Sequence, residues 1–444
     1  MKKINSILVA IVMVFLLFGE TVLAATELPL PVEPRVKAKA AIAYDLTNDE
    51  IILEKNMEER MYPASLTKLM TALLLAEHAD REDDLYISEE PLKAPGFAIN
   101  KNLFKLYKGD TITADAAMKA ILLPSANDMA VVAAEHVGKT VEEFSRLMND
   151  RAKELGMLDS HFVNPTGLHD PLHYTTAADL VKLVRAAYDN DWVREVIATE
   201  TSNIRTKWQK IGDIKNSNQL LGKDGNVGGK TGFTPEAGRC LVGIYQREGR
   251  EIIQVLLHSG TTFKSPQVFT DMANLAEEAY ELEKIPMIAK NTPVDSITAD
   301  YKLFRWFGPI KTVQIKATTQ DDLLFYNNTV NNDEEGLSPT ITPYEQLNVF
   351  QLEEGVPVAD LSLTKRDATL STKVLSQTNT FDSVIIPNAV PYLGAAIGSF
   401  LLIVLLLFLL IKLARSGKST RRKIRSKRTL KRRRNIKNRY SDKI

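Results

Sequence analysis

The sequence predicts an α+β protein: an antiparallel sheet packed with a large helical cluster, then a small all-β domain, then one C-terminal transmembrane helix. Three observations carry this. Strand-like runs at 38–54 and 226–258 bracket a long stretch whose apolar residues recur at helical spacing. Beyond Pro286 that period gives way to short Val-, Ile- and Thr-rich runs separated by polar turns. Residues 390–411 then hold 22 positions without a charge, enough for a hydrocarbon slab of about 30 Å.

Taken in order, Lys2 and Lys3 precede an uncharged apolar stretch at 7–19, and Val22-Leu23-Ala24 offers a small-residue cleavage site. Residues 1–24 therefore read as a signal peptide. Runs at 38–45 and 49–54 flank the turn-forming Thr47-Asn48-Asp49 and predict a hairpin. Pro63-Ala64 opens a helix on which Ser65, Lys68, Leu69, Leu73 and Leu74 have the right spacing. Helical signals continue through 113–138, 141–155, 176–188 and 269–284, and strands are expected at 226–232, 239–246 and 251–258. The first domain is expected to span 25–285. Residues 287–378 read as a small all-β domain without histidine, paired acids or a nucleophile arrangement, a spacer or docking unit. A linker at 379–389 leads to the span at 390–411 and a basic tail at 412–444.

That tail carries 16 Lys or Arg and one acid, Asp442. Basic residues beside a span favour the cytoplasmic side, which puts everything before residue 390 outside. Because the tail abuts a span, anionic lipid accounts for its charge and no nucleic-acid partner is expected. The formal net charge of +1 averages two unlike parts: without the tail and the signal segment, 38 basic residues face 53 acidic ones, so the exposed portion is near −15. Cys240 is the only cysteine, which excludes an internal disulfide. It sits in Cys240-Leu241-Val242-Gly243-Ile244, a core-strand pattern, and reads as a small buried hydrophobe.

Three short segments carry chemistry. Ser65 and Lys68, three apart on a helix, share a face, so the amine reaches the hydroxyl. A neutral lysine can take the serine proton if burial and a neighbouring cation lower its pKa. Backbone N–H groups at the first turn can stabilise developing negative charge. Pro124-Ser125-Ala126-Asn127-Asp128 interrupts two helical patterns, so Ser125 can relay a proton and Asn127 can hold substrate backbone and the Lys68 amine; a plain helix cap is the alternative. Gly228-Gly229-Lys230-Thr231-Gly232-Phe233-Thr234 reads as a strand open to close approach. Lys230 and Thr231 suit a carboxylate, Lys230 disfavours a second ammonium on Lys68, and the Phe233 N–H can oppose that of Ser65 as an oxyanion donor. A nucleotide loop is excluded by spacing, since position 224 is Asp. His161, His169 and His173 do not form His-Glu-x-x-His, and no metal or cofactor is expected.

These residues resemble the low-molecular-mass penicillin-binding proteins of the D-alanyl-D-alanine carboxypeptidase family, the S11 serine peptidases. The likeness includes Tyr62-Pro63-Ala64-Ser65-Leu66-Thr67-Lys68-Leu69-Met70-Thr71-Ala72, Phe162-Val163-Asn164-Pro165-Thr166-Gly167-Leu168, His173-Tyr174-Thr175-Thr176-Ala177, and Gly229-Lys230-Thr231-Gly232-Phe233-Thr234 with Ala237-Gly238. It covers 36–284 in detail and 287–378 more loosely. The resemblance implies a penicillin-binding, serine β-lactamase-like transpeptidase fold and a peptidoglycan stem pentapeptide as substrate. It implies Ser65 as nucleophile, Lys68 as base, Ser125 in proton transfer, and Asn127, Lys230, Thr231, Gly232 and Phe233 in substrate binding. β-Lactams would acylate the same serine. The implied location is the outer face of the cell membrane, as in a Gram-positive bacterium.

Two features depart from the family pattern. Many members end in an amphipathic helix, whereas this chain predicts a true span. Some relatives place an arginine after the Lys-Thr-Gly strand, where Gly260-Thr261-Thr262-Phe263-Lys264 has threonine, which shifts carboxylate binding onto Lys230 and Thr231. A class A-like β-lactamase shares the first and third segments, but no Glu-x-x-x-Asn deacylation segment is evident. A non-enzymatic wall-binding scaffold is the alternative of another class.

Overall fold

A computed structural model describes residues 29–331, 339–345, 347–365 and 368–440; the expected signal peptide at 1–24 lies outside them. The N-terminal hairpin forms from β1 (Ala40–Asp45) and β2 (Glu50–Lys55), with a bulge at Ala43/Tyr44. β1 then pairs with a strand some two hundred residues later. β3 (Asn226–Thr234), β4 (Gly238–Arg247) and β5 (Arg250–Leu257) complete one antiparallel sheet in the order β2-β1-β5-β4-β3. The central strands are apolar on both faces because both are covered. Cys240, Val242 and Ile244 belong to the core shared with the helical cluster. Leu241 and Tyr245 pack in a second core with Val268, Met272 and Leu275 of the last helix of this unit.

Five helices follow from the sequence as expected: α1 (Lys68–His78), α2 (Ala114–Leu122), α3 (Asn127–Gly138), α4 (Val141–Glu154) and α5 (Ala177–Asp189), with α6 (Gln267–Glu281) on the other side of the sheet. α1 is buried from Lys68 to Leu75, which explains why it is apolar nearly all round. Thr113, Thr140 and Thr176 cap α2, α4 and α5 by accepting from Ala116 N, Glu143 N and Asp179 N. A short helix at Asp191–Ile197 and a hairpin of Thr201–Arg205 with Lys210–Lys215 have no counterpart in the sequence expectation. Their alternation is masked by polar residues on both faces.

A second five-stranded antiparallel sheet follows: β6 (Pro293–Lys302), β7 (Ile310–Thr319), β8 (Thr340–Pro343), β9 (Pro357–Lys365) and β10 (Ala368–Ser376), ordered β6-β7-β10-β9-β8. It has its own core around Ile315, Val358, Leu361 and Val374. The turns Phe381–Ile385 and Ile386–Asn388 lead without a break into α7 (Ala389–Tyr440), whose apolar part is long enough to cross a membrane by length and composition.

The two ends of the first sheet differ in a way that matters for the site. At β2, Asn328 Nδ2 donates to Ile51 O (2.8 Å) and Ile52 O (3.0 Å), and Asn331 Nδ2 donates to Ile51 O (3.1 Å), so these side chains occupy the edge. β3, at the opposite edge, has no strand on its outer side among the described residues. An unpaired edge is a template for an extended peptide.

Candidate active site

Ser65 lies in a single 3-10 turn, Ala64–Thr67, that runs directly into α1. The preceding Ala64 has φ +49°, a left-handed conformation that a residue with a Cβ adopts at some cost. The loop holding 164–168 presses against this elbow. Asn164 Oδ1 accepts from Thr166 N (3.1 Å), Thr166 Oγ1 (2.8 Å) and Gly167 N (2.8 Å), which coils the loop. Gly167, at φ +77°, lies so close that an added Cβ would be 1.8 Å from Ala64 O. The sequence marked Asn164-Pro165-Thr166-Gly167 as a turn; its contact with the Ala64–Ser65 elbow emerges only in three dimensions.

That packing directs the Thr166 carbonyl at Lys68. The Lys68 side chain is 0% exposed and its Nζ has three partners: Thr166 O at 2.6 Å, Asn127 Oδ1 at 2.6 Å and Ser65 Oγ at 3.1 Å. Burial pushes the Lys68 pKa well below 10.5, the charge of Lys230 pushes it further, and Asp128 opposes them. A neutral amine has two N–H donors and one lone pair. Thr166 O and Asn127 Oδ1 can only accept, so they take the two donors and leave the lone pair for the Ser65 proton.

Ser125 and Asn127 depart from the plain capping alternative: α3 has no side-chain cap. Asn127 instead bridges, accepting from Lys68 while its Nδ2 donates to Pro95 O at 2.7 Å. Ser125 adopts φ +69°, and its buried Oγ has no protein hydrogen-bond partner. A strained residue holding an unpartnered hydroxyl is a costly arrangement in a folded core.

β3 brings the third segment alongside. Gly232 passes so near the elbow that an added Cβ would lie 3.1 Å from both Pro63 O and Ser65 N, which places the Phe233 strand end beside the turn that holds Ser65. Thr231 Oγ1 shares a 2.6 Å hydrogen bond with Ser217 Oγ. Lys230 is only 1% exposed, its Nζ donates to Thr231 O at 3.0 Å, and burial lowers its pKa to about 7. Its charge acts on the neighbouring Lys68, whose pKa it helps to lower. The cleft itself, about 450 Å³, is lined by Ser65, Ser125, Asn127, Thr231, Gly232 and Phe233, among others.

Arg239 also lines this cleft and was missed by the sequence reading. It stands opposite Phe233 in the β3–β4 register, is 7% exposed, and donates from Nη1 to Phe263 O at 2.7 Å. Its buried Nε has no partner. The signal was available as a charged residue at the head of an apolar strand, Gly238-Arg239-Cys240-Leu241, since arginine is rarely fully buried. Arg239 N donates to Gly260 O, so this guanidinium is carried beside the 260–264 stretch that lacks the relatives' arginine.

Residues 28–261 match the family model of the D-alanyl-D-alanine carboxypeptidases, peptidase family S11. This chain belongs to the D-alanyl-D-alanine carboxypeptidase family. It is 30% identical over 303 residues to the D-alanyl-D-alanine carboxypeptidase DacF of Bacillus subtilis, covering 67% of this chain and 76% of that one. It is 30% identical over 253 residues to DacC of Escherichia coli, covering 55% and 62%. Among solved structures, the Streptomyces K15 DD-transpeptidase superposes with a TM-score of 0.52 at 26% identity, covering 56% of this chain and all of that one. The penicillin-binding, transpeptidase-like α+β fold expected from the sequence is the fold observed.

In this D-alanyl-D-alanine carboxypeptidase family member the other candidates serve structure. His173 Nε2 bonds Thr67 Oγ1 at 2.9 Å beneath the elbow, and burial lowers its pKa to about 4, so it is neutral. Asp179 Oδ2 accepts from Asp159 N and Ser160 Oγ. Burial raises the Cys240 thiol to about 12, which leaves it an inert hydrophobe. Among the described residues no cluster of His, Cys, Asp or Glu suits a metal.

Proposed function

We propose that this protein is a serine-type D-Ala-D-Ala carboxypeptidase acting on peptidoglycan stem pentapeptides outside the cell. The observation that carries the proposal is a fully buried Lys68 amine 3.1 Å from Ser65 Oγ, at the head of a cleft edged by an open strand. An extended peptide adds along β3, and its terminal carboxylate is drawn by Thr231, Arg239 and the field of Lys230. Ser65 Oγ attacks the penultimate D-alanine carbonyl while its proton passes to Lys68. The backbone N–H groups of Ser65 and Phe233 hold the oxyanion. The C–N bond then breaks, the proton passes through Ser125 to the departing amine, and free D-alanine leaves. Water attacks the acyl ester, returning the proton to Ser65 Oγ and releasing the shortened peptide.

On this reading 25–285 is the catalytic domain, 287–378 a supporting domain, 390–411 the single membrane span, and 412–444 a basic cytoplasmic tail; 1–24 directs export. A penicillin, a strained amide bearing a carboxylate, enters by the same route and leaves Ser65 slowly.

The test combines two measurements on the full-length protein in detergent. D-Alanine is released from a D-Ala-D-Ala pentapeptide, and intact mass shows a penicillin adduct that Ser65→Ala lacks. An adduct without D-alanine release would overturn the carboxypeptidase activity, and an adduct persisting in Ser65→Ala would overturn the nucleophile. Because the superposing Streptomyces enzyme is named a DD-transpeptidase, the assay includes an amine acceptor: transfer to it in place of hydrolysis would identify cross-linking.

A further inference from the structure

The β6–β7 hairpin ends in a run of large apolar side chains that no core uses. Trp306, Phe307 and Ile310 are 75%, 65% and 69% exposed. Phe304 stacks on Phe307 with centroids 5.3 Å apart, and the Arg305 guanidinium lies 5.3 Å from the Trp306 ring. An exposed cluster of this kind marks a contact surface.

What covers it is indicated by where the hairpin is fastened. Tyr392 OH donates to Leu303 O at 2.7 Å, and its ring meets Phe304 edge-on at 5.8 Å. Lys311 Nζ donates to Asn388 Oδ1 at 2.9 Å, while Asn388 Nδ2 donates to Tyr301 OH at 2.8 Å. The hairpin is thus clamped to residues 388–392, where the charge-free run of α7 begins. At 1.5 Å per residue, 22 residues span about 33 Å, close to a hydrocarbon core of about 30 Å. Residues 390–392 therefore lie at the outer boundary of that core if 390–411 cross it, and the hairpin tip lies at the same level.

We propose that the 303–310 hairpin is a second membrane contact, inserting Trp306 and Phe307 into the lipid interface beside the entry of α7. The proposal rests on the membrane-span part of the functional reading above. Tryptophan favours the headgroup level because its ring is largely apolar while its N–H is polar, and the wholly apolar Phe307 ring gains by leaving water. Exposed Lys302, Arg305 and Lys311 flank the rings, where their stems cover apolar surface and their heads meet lipid phosphate. Held at helix and hairpin together, the second sheet is fixed in its tilt to the bilayer. Contacts such as Lys284 with Glu50 and Arg250 with Tyr326 extend that constraint toward the catalytic sheet.

The test uses the full-length protein reconstituted in phosphatidylcholine–phosphatidylglycerol vesicles, with acyl-brominated lipid as quencher. The chain has three tryptophans, so Trp306 is read as the difference between wild type and Trp306→Phe. The expected result is a blue-shifted Trp306 component that brominated lipid quenches and aqueous iodide does not. Quenching by iodide alone would overturn the proposal, and quenching by neither would place the hairpin against protein and overturn it equally. Vesicle flotation of the same samples reports the span separately. Flotation without lipid quenching sinks only the hairpin contact, whereas no flotation sinks the span and the contact with it.

Discussion

Replacing Lys230 by methionine should make the protein more stable and less active. Lys230 is buried in a strand, with one hydrogen bond to Thr231 O, and burial lowers its pKa from 10.5 to about 7. At about 1.36 kcal/mol per pH unit, that gap corresponds to about 5 kcal/mol. The sign follows from proton counts. Between pH 7 and 10.5 the unfolded chain holds the Lys230 proton and the folded chain does not, so stability rises with pH across that window. Below pH 7 the penalty is complete; above 10.5 it is gone. Methionine has similar length and no charge, so Lys230→Met removes the penalty. At pH 6 the variant should melt higher by on the order of 10 °C, taking about 5 kcal/mol as the ceiling and ~2 °C per kcal/mol for a domain of this size. The advantage should shrink toward zero by pH 10.5. D-Alanine release should fall in the same variant, because Lys68 loses a cation that keeps it neutral and the cleft loses part of its attraction for a carboxylate. Thermal melts of the full-length protein followed by circular dichroism from pH 6 to 10.5 read the first effect. A variant that melts lower than wild type at pH 6, or a difference that stays constant with pH, would refute the reasoning.

With a carboxylate-bearing peptide, the acylation rate should rise as pH climbs through the lowered pKa of Lys68, since only the neutral amine accepts the Ser65 proton, and should fall above about 7 as Lys230 loses its charge. A carboxylate-free ester should keep the rise and lose the fall; a flat profile from pH 6 to 10 counts against a lysine base. Arg239→Leu should raise KM for the pentapeptide by roughly tenfold or more, in line with about 1.5–3 kcal/mol for a hydrogen bond to a charged group, while leaving acylation by the ester nearly unchanged. Equal losses on both substrates would show that Arg239 only supports the fold. Gly167→Ala, with its Cβ aimed 1.8 Å from Ala64 O at φ +77°, should lower both the melting temperature and the acylation rate, because the elbow must move. Unchanged penicillin acylation would show that the elbow tolerates displacement.

Much of the site was legible in the chain because it is built from local rules. Ser65 and Lys68 meet by their spacing of three, through a 3-10 turn that runs into α1, and Ser125 and Asn127 fall where two helical periods break. Lys230 to Phe233 lie on a strand announced by glycines and β-branched neighbours. Arg239 was marked in the sequence only by its charge at the head of an apolar strand; its place in the cleft, opposite Phe233 and beside Phe263, depends on strand register. The burial of Lys230 was likewise hidden, because a lysine on a glycine-rich strand carries no local sign of the packing that takes it out of water. The hairpin at 201–215 escaped notice since polar residues occupy both its faces.

What this sequence determined by itself was the inventory and its order: an antiparallel sheet with helices, a second β unit, a charge-free run, and three segments resembling those of an acylating serine enzyme. Hydrophobic period, turn chemistry and charge are local quantities, so they survive in one dimension. The tertiary structure decided which groups meet. It paired β1 with β5 across the chain, pressed Gly167 against the Ala64 elbow, and aimed Thr166 O at Lys68. It also closed one sheet edge with asparagines while leaving the other without a neighbouring strand among the described residues. Those outcomes depend on long-range packing and on the loss of water around Lys68 and Lys230, and desolvation is a property of the folded interior that no residue carries alone.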